Sequence, residues 1–467
     1  MPQQWNVYES FQALLKAGVY HLALEGILVL WIIWLLTKKP KNKNAIKLSK
    51  KEEEQLLSEW TPEPLISDPP DESHPLLHPR IVDGKIGLHV VVNDKKLLNL
   101  ATHNYLNLSN RTEIEESALK CLNVYGVGSC GPRGFYGTTV EHVKLEEQIA
   151  EFYGLEYSVI YSYGFSTIAS AIPAFSKNSD IIYARSKIVY FRHDDMNHLE
   201  QLLKEQEILD KKNPKKAAVT RKFIVSEGIY VNTGTICPLP ELVRLRAKYK
   251  LRLFIDESCS FGTLGPRARG VCDHFGIPYK EVDLIMASLE MGGAVAGGFT
   301  VGTAFVVEHQ RLSGLGYCFS ASLPPMLVAA SSQVFSILEK EGGGMVVKLQ
   351  EVCRTVHKAF SDVCDKVKLV GDEISPVKHL VLKEHLQVRE EEENLLREIV
   401  SAAEDEGVAI VMAAHLTTLT YTPPPPSIRI AVNMDLTNDQ IEFASKALTR
   451  AFSHVLLHQI QVGKKEE

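Results

Sequence analysis

The sequence predicts an α/β protein: a large domain on a mainly parallel sheet, a smaller C-terminal α+β domain, and one apolar helix in front. Three observations carry this. From about residue 113, helical stretches alternate with short apolar runs, the pattern of strands joined by crossover helices. After the long apolar-periodic stretch "PPMLVAASSQVFSILEKEGGG", helices and strands are mixed to about 460. Near the N-terminus lies an apolar run of membrane-spanning length. The 467 residues leave room for two to three domains. Hydrophobic and charged contents of 45% and 23% are those of an ordinary globular chain. The net charge of −6 makes no whole-chain case for nucleic acid, and none is expected as a partner.

In chain order, Ala17–Leu36 reads "AGVYHLALEGILVLWIIWLL", close to the roughly 20 residues that cross a hydrocarbon core. Trp31 and Trp34 lie towards one end, as interfacial aromatics do. Glu25 is costly in such a setting and calls for a partner. A cleaved signal would carry its basic cluster before the apolar run; here Lys38, Lys39, Lys41, Lys43 and Lys47 follow it, against Lys16 before. A buried amphipathic helix is the other alternative. A single membrane anchor is preferred, spanning residues 1–37, with the lysines placing the N-terminus outside and the bulk of the chain in the cytosol. The eight cysteines form no C-x-x-C pair, which fits a reducing compartment.

Residues 38–95 are expected to hold lysines at the lipid headgroups, a short helix in "EEEQLLSEW", the proline-rich linker "TPEPLISDPPDESHPLLHP" and the start of a hairpin. That hairpin joins "IGLHVVV" to "KKLLNLA" around Asn93-Asp94. The large domain is bounded at 96–339. Its helix "VEHVKLEEQIAEFYG" precedes the strands "YSVIYS", "KFIVSEG", "LRLFIDE" and "VDLIMAS". The long helix is expected to stop at Gly342–Gly344, and residues 340–467 to form the small domain.

Five stretches suggest chemistry. "GVGSCG", Gly126–Gly131, formally matches G-x-G-x-x-G, but a helical stretch precedes it and Pro132 follows, so it is not a dinucleotide turn. With "PRGFYG" it forms a glycine loop carrying Arg133 and Tyr136, suited to an anionic ligand or simply to a turn. "LRLFIDESCS" ends a strand in Asp256-Glu257, where α/β sheets put ligands and where a helix cap would also sit. Ser320 and Ser322 in "GYCFSASLPP" are phosphate ligands or helix caps, and Arg429 in "PPPPSIRI" is a carboxylate clamp or a surface charge. "MASLEMGGAVAGGF" (residues 286–299) brings a strand into a glycine turn built for close approach, yet beside the glycines stand only Glu290 and Met291.

These segments in this order, together with "YSYGFSTIASAIPAFSK" and "EGIYVNTGTICPLPELVRL", resemble the α-oxoamine synthase family of pyridoxal-phosphate enzymes. Within it they resemble the long-chain-base subunit 1 family of serine palmitoyltransferases. The resemblance covers nearly the whole chain and implies fold type I. Catalytic members carry T-x-x-K-s-x-G-x-x-G-G, and counting back from Gly297-Gly298 puts Met291 at the Schiff-base lysine. The family's D-E-A-H-S is here "DESCS", with Asp256 kept and Cys259 at the histidine. The resemblance assigns cofactor-side positions to Tyr163, Gly164, Asp256, Ser320 and Ser322, and substrate or interface positions to Arg133, Tyr136 and Arg429. It implies no catalytic residue and no metal in this chain. It implies that pyridoxal 5'-phosphate is held covalently by a lysine-bearing subunit 2. The reaction implied condenses L-serine with a long-chain acyl-CoA to 3-ketosphinganine in the endoplasmic reticulum membrane. Small activating subunits, ORM-type membrane regulators and membrane lipids are the further partners implied.

One departure stands out. Family members place a loop and a helical turn between the strands matching "SDIIY" and "KIVYF"; here only "ARS", residues 184–186, separates them. A parallel crossover needs about a dozen residues. Either a segment after Tyr183 is missing, giving a shortened form, or the two strands meet as a hairpin.

Overall fold

A computed structural model describes residues 18–37, 49–61, 77–175, 188–415 and 423–463. The "SDIIY"–"ARS" junction lies outside them, as do most of the lysine-rich and proline-rich stretches. The chain divides into two compact units, Met1–Pro79 and Arg80–Glu467.

The first unit holds two described helices. Helix α1 (Val19–Thr37) has no buried residue and is long and apolar enough to cross a membrane. The partner that Glu25 calls for is one turn away: His21 Nε2 stands 3.2 Å from Glu25 Oε1. Helix α2 (Lys50–Glu59) opens with a capping box. The Ser49 hydroxyl accepts from the Glu52 N–H while the Glu52 carboxylate accepts from the Ser49 N–H.

In the second unit, β1 (Val82–Asp83), β2 (His89–Val92) and β3 (Lys95–Asn99) form an antiparallel meander. The predicted hairpin turn is two residues long. Asn93 and Asp94 both take positive φ, +49° and +61°, as a type I′ turn requires. Helices α3 (Thr112–Tyr125) and α4 (Val140–Tyr153) follow. The main sheet comes next, built from β4 (Tyr157–Tyr161), β5 (Phe223–Glu227), β6 (Arg252–Asp256), β7 (Leu284–Ser288) and β8 (Gly298–Gly302), ordered β4-β8-β7-β6-β5. Only β8 opposes the others: it pairs antiparallel with β4 and β7, while β5–β6 and β6–β7 are parallel. All of β7 and β8 is buried, which explains why "VDLIMAS" reads as a continuous apolar run. The connecting helices are α5 (Gly164–Phe175), α6 (Met196–Lys212), α7 (Leu239–Tyr249), α8 (Val271–Phe275) and α9 (Ala304–Ser313). Phe152 of α4, Phe261, Phe299 of β8 and a phenylalanine of the following long helix, Phe335, pack as edge-to-face and tilted rings with centroids 5.2–6.3 Å apart.

That helix, α10 (Pro325–Phe360), corrects one expectation. It does not stop at Gly342–Gly344 but runs on for 36 residues in all. The glycines make room instead of ending it. A Cβ on Gly342 would come 2.9 Å from the Ala268 Cβ, and one on Gly343 2.6 Å from the Pro266 carbonyl. The helix therefore crosses the expected boundary at 339/340.

The C-terminal part contributes β9 (Val367–Val370), β10 (Val377–Leu382), α11 (Arg389–Asp405), β11 (Val408–Ala409), β12 (Val411–Met412), β13 (Ile428–Ala431) and α12 (Asn438–Gly463). Strands β12-β13-β10-β9 form an antiparallel sheet, while β11 adds in parallel to β3. Lys378 of β10 is fully buried and donates to the Asp372 and Glu373 carbonyls. Burial lowers its ammonium to about 8.

Candidate functional site

Four parallel strands, β4 to β7, send their C-terminal ends to one edge of the main sheet, and the chemistry-bearing residues gather there. Asp256 closes β6; its Oδ1 accepts from the Ser258 N–H at 2.8 Å. The Ser258 hydroxyl in turn accepts from the Ser288 N–H, at the end of β7, at 2.9 Å. Glu227 is the Cα partner of Asp256 across β5 and β6. Burial first, then the nearby Asp256, pushes Glu227 up to about 7. Burial also raises Asp256 above the usual carboxylate range.

Beyond Asp256, the Cys259 Sγ lies 3.5 Å from the Met291 Sδ and 3.8 Å from the Tyr105 hydroxyl. His103 Nδ1 stands 2.5 Å from the same hydroxyl. Burial, reinforced by Arg429, holds His103 down to about 3, so its imidazole is neutral at physiological pH. Burial raises the Cys259 thiol well above its ordinary value, which leaves it a protonated, unreactive group. Arg429 reaches this cluster from β13. It donates through Nη2 to the Ala101 carbonyl at 3.0 Å, and its buried Nε has no partner among the described residues. Burial lowers its guanidinium below its ordinary value.

Tyr163 and Gly164 lie where β4 passes into α5. The Gly164 N–H donates to Glu290 Oε1 at 3.0 Å, and the Ser288 hydroxyl donates to Glu290 Oε2 at 2.9 Å. A Cβ on Gly164 would stand 2.5 Å from Ser288 Oγ and 2.8 Å from Glu290 Oε2, so the approach demands glycine. Tyr163 is half exposed beside it.

The glycine loop departs from its expected role. Arg133 does not offer its guanidinium to an outside anion. Its side chain is 4% exposed and forms a two-pronged pair with Glu146 of α4, at 2.7 and 3.1 Å. Its Nε donates to the Thr138 hydroxyl at 2.9 Å, and it stacks over Tyr317. Arg311 of α9 shares the same carboxylate at 3.0 Å. Ser322 ties the loop down, donating to the Gly131 and Gly137 carbonyls, so its hydroxyl is committed to this chain. Ser320 is half-buried nearby. Tyr136 is the opposite of Arg133: it takes φ +64° and is fully exposed, and its neighbour Phe135 is exposed too.

The sheet edge thus unites Tyr163, Gly164, Asp256 and Met291, with Arg429 reaching its Cys259–Tyr105 margin. Ser320, Ser322, Arg133 and Tyr136 belong to the adjoining loop. Sequence reading missed Glu146, Glu227 and the carboxylate role of Glu290. The acceptor-only chemistry of Glu290 beside a helix start was the available signal for the last.

The parallel-stranded domain, with its acidic strand end and a glycine turn behind the final parallel strand, shares its fold with pyridoxal-phosphate-dependent transferases. The family model "Aminotransferase class I and II" matches residues 95–448. The chain is 38% identical to Serine palmitoyltransferase 1 of Dictyostelium discoideum, over 96% of this chain and 97% of that protein. It is 36% identical to Long chain base biosynthesis protein 1 of Arabidopsis thaliana, over 94% and 92%. The solved Sphingomonas wittichii serine palmitoyltransferase superposes with a TM-score of 0.71 at 22% identity, covering 87% of this chain and 96% of that one. The chain belongs to the class I and II aminotransferase family and, within it, to the serine palmitoyltransferase 1 and long chain base biosynthesis protein 1 group.

Two outcomes follow from this geometry. Arg133→Ala leaves Glu146 buried with Arg311 as its remaining arginine partner and should lower unfolding stability by about 3–5 kcal/mol. Arg133→Lys, lacking the two-pronged fork, should recover only part of it. Urea unfolding of the purified variants reads both; unchanged midpoints would show the pair to be energetically idle. The second concerns pH. Glu227 rises from an ordinary 4.5 to about 7 in the fold, so its contribution is fully present below 4.5 and is lost as pH rises to 7. Glu227→Gln should flatten the melting-temperature profile across that window, and a profile parallel to the parent would count against a buried, protonated Glu227.

Proposed function

We propose that this chain is a non-catalytic subunit of a serine palmitoyltransferase, whose complex condenses L-serine with a long-chain acyl-CoA to 3-ketosphinganine. The carrying observation is Met291, a thioether packed against Cys259 at the position counted for the Schiff-base lysine. The residues present do not fit covalent retention of pyridoxal phosphate. Met291 has no amine, and the Cys259 thiol is kept protonated by burial. The cofactor is then bound by a homologous, lysine-bearing subunit 2.

The exposed apolar pair Phe135 and Tyr136 supports a partner-facing loop. Small activating subunits and ORM-type regulators remain implied by family likeness. Helix α1 supports a single-pass anchor in the endoplasmic reticulum membrane, with the N-terminus lumenal and the main domain cytosolic. Arg429, with its unpartnered Nε beside the Cys259–Tyr105 margin, remains a substrate- or interface-side residue in this proposal.

One observation favours a second reading, a scaffold with no share in an active site. Arg133 is turned inward onto Glu146, which removes the guanidinium as a contribution to a neighbouring site. An impaired shortened form is compatible with either reading. The alignment with the Dictyostelium protein runs over 476 positions, more than this chain has residues, so that protein carries residues this chain lacks.

Activity separates the readings. The chain purified alone should form no 3-ketosphinganine from L-serine and palmitoyl-CoA, and Met291→Lys should not suffice to restore it. Copurified with a lysine-bearing subunit 2, the complex should be active, and Tyr136→Ala should lower its rate with assembly intact. Turnover by the isolated chain would refute the non-catalytic role, and an unaffected Tyr136→Ala complex would favour the scaffold. For orientation, a tag after Glu467 should be digested by protease added to sealed microsomes; its protection would reverse the assignment.

A further inference from the structure

The loss of an amine does not by itself empty a cofactor site. Phosphate recognition depends on backbone amides and hydroxyls, and those features survive here. Helix α5 begins at Gly164, directly after the C-terminal end of β4. A helix start of this kind presents free N–H groups and the positive end of the helix dipole. The Ser288 hydroxyl, at the end of β7, points to the same place. Together they make an anion cradle.

The cradle is already filled by this chain. Glu290 arrives from 126 residues away in sequence, and both carboxylate oxygens are held: Oε1 by the Gly164 N–H and Oε2 by the Ser288 hydroxyl. Its own N–H donates back to Ser288 Oγ at 3.1 Å, which fixes the turn that aims the carboxylate. The space is tight, since even a methyl group on Gly164 would meet Ser288 and Glu290 within 3 Å. A phosphate arriving here would have to displace a negative charge from its hydrogen bonds or sit against it.

We infer that Glu290 is a built-in anion that closes the phosphate cradle at the start of α5, so this chain rejects phosphate there independently of the missing lysine. The inference goes beyond the non-catalytic reading, because a chain with Met291 and an open cradle would still accept a phosphorylated ligand without a covalent bond.

The test uses the full chain in detergent, titrated calorimetrically with inorganic phosphate and separately with pyridoxal 5'-phosphate. The parent should show no saturable phosphate binding. Glu290→Ser, which replaces the carboxylate by a donor, should gain a saturable site about ten-fold or more tighter than any residual binding to the parent. Phosphate should also raise the melting temperature of that variant. Glu442→Ser alters net charge equally at an exposed helix position paired with Lys446 and should gain nothing. Saturable binding by the parent, at an affinity matching Glu290→Ser, would overturn the inference. So would folded Glu290→Ser and Glu290→Gln variants that both fail to bind. Should Glu290→Ser not fold, the isosteric Glu290→Gln carries the comparison alone, with gained binding supporting closure and none refuting it. These readouts need no partner subunit, so they stand or fall apart from activity of the assembled complex.

Discussion

The large domain is organised around one buried carboxylate. Glu146 sits on the inner face of α4, where two arginines from different parts of the chain converge on it. Arg133 comes from the glycine loop and Arg311 from α9, and the β4 backbone adds the Ile160 N–H at 3.2 Å. A charge removed from water is tolerated only when its lone pairs are satisfied and its partners are fixed. Here every partner belongs to a different element, so satisfying Glu146 sets the position of the loop, α9 and β4 together. Ser158 reinforces the arrangement by donating to the Glu146 carbonyl at 2.7 Å. The loop's outward residues, Phe135 and Tyr136, are exposed because Arg133 is anchored inward.

Much of the fold was legible because it follows local rules. Apolar runs bounded by turn residues marked β4 to β7, and Asn93-Asp94 marked the hairpin. The helical stretch before Gly126 excluded a dinucleotide turn. Reading failed where a residue's environment is supplied by distant segments. Arg133 among five glycines looked available for a ligand, yet its partner lies 13 residues on, in a helix whose buried face reads as amphipathic only. Lys378 drew no reading in the sequence, and only the fold shows two carbonyls receiving its ammonium.

The site shows the same division. The family resemblance singled out Met291 and Cys259, and the structure adds that their sulfurs touch. Met291 and Cys259 form a sulfur seam that runs on to the Tyr105 hydroxyl. The carboxylates fared differently. Asp256 and Glu227 remain at the strand ends, both raised by burial and Glu227 also by Asp256, while Glu290 serves as an internal counter-ion to a helix start. The ligand-side scaffold persists with its polar groups turned upon one another.

The three glycines inside α10 have a consequence for anyone editing this protein. In a primary sequence, Gly342-Gly343-Gly344 looks like an ideal hinge at which to split the chain or graft a reporter. In the folded molecule the first two are contact surfaces, pressed against Ala268 and the Pro266 carbonyl, within a rod 36 residues long. A cut or graft there would sever the spine shared by the two halves of the globule. Flexibility in composition has been spent on proximity, leaving no slack at the place that seems to offer most.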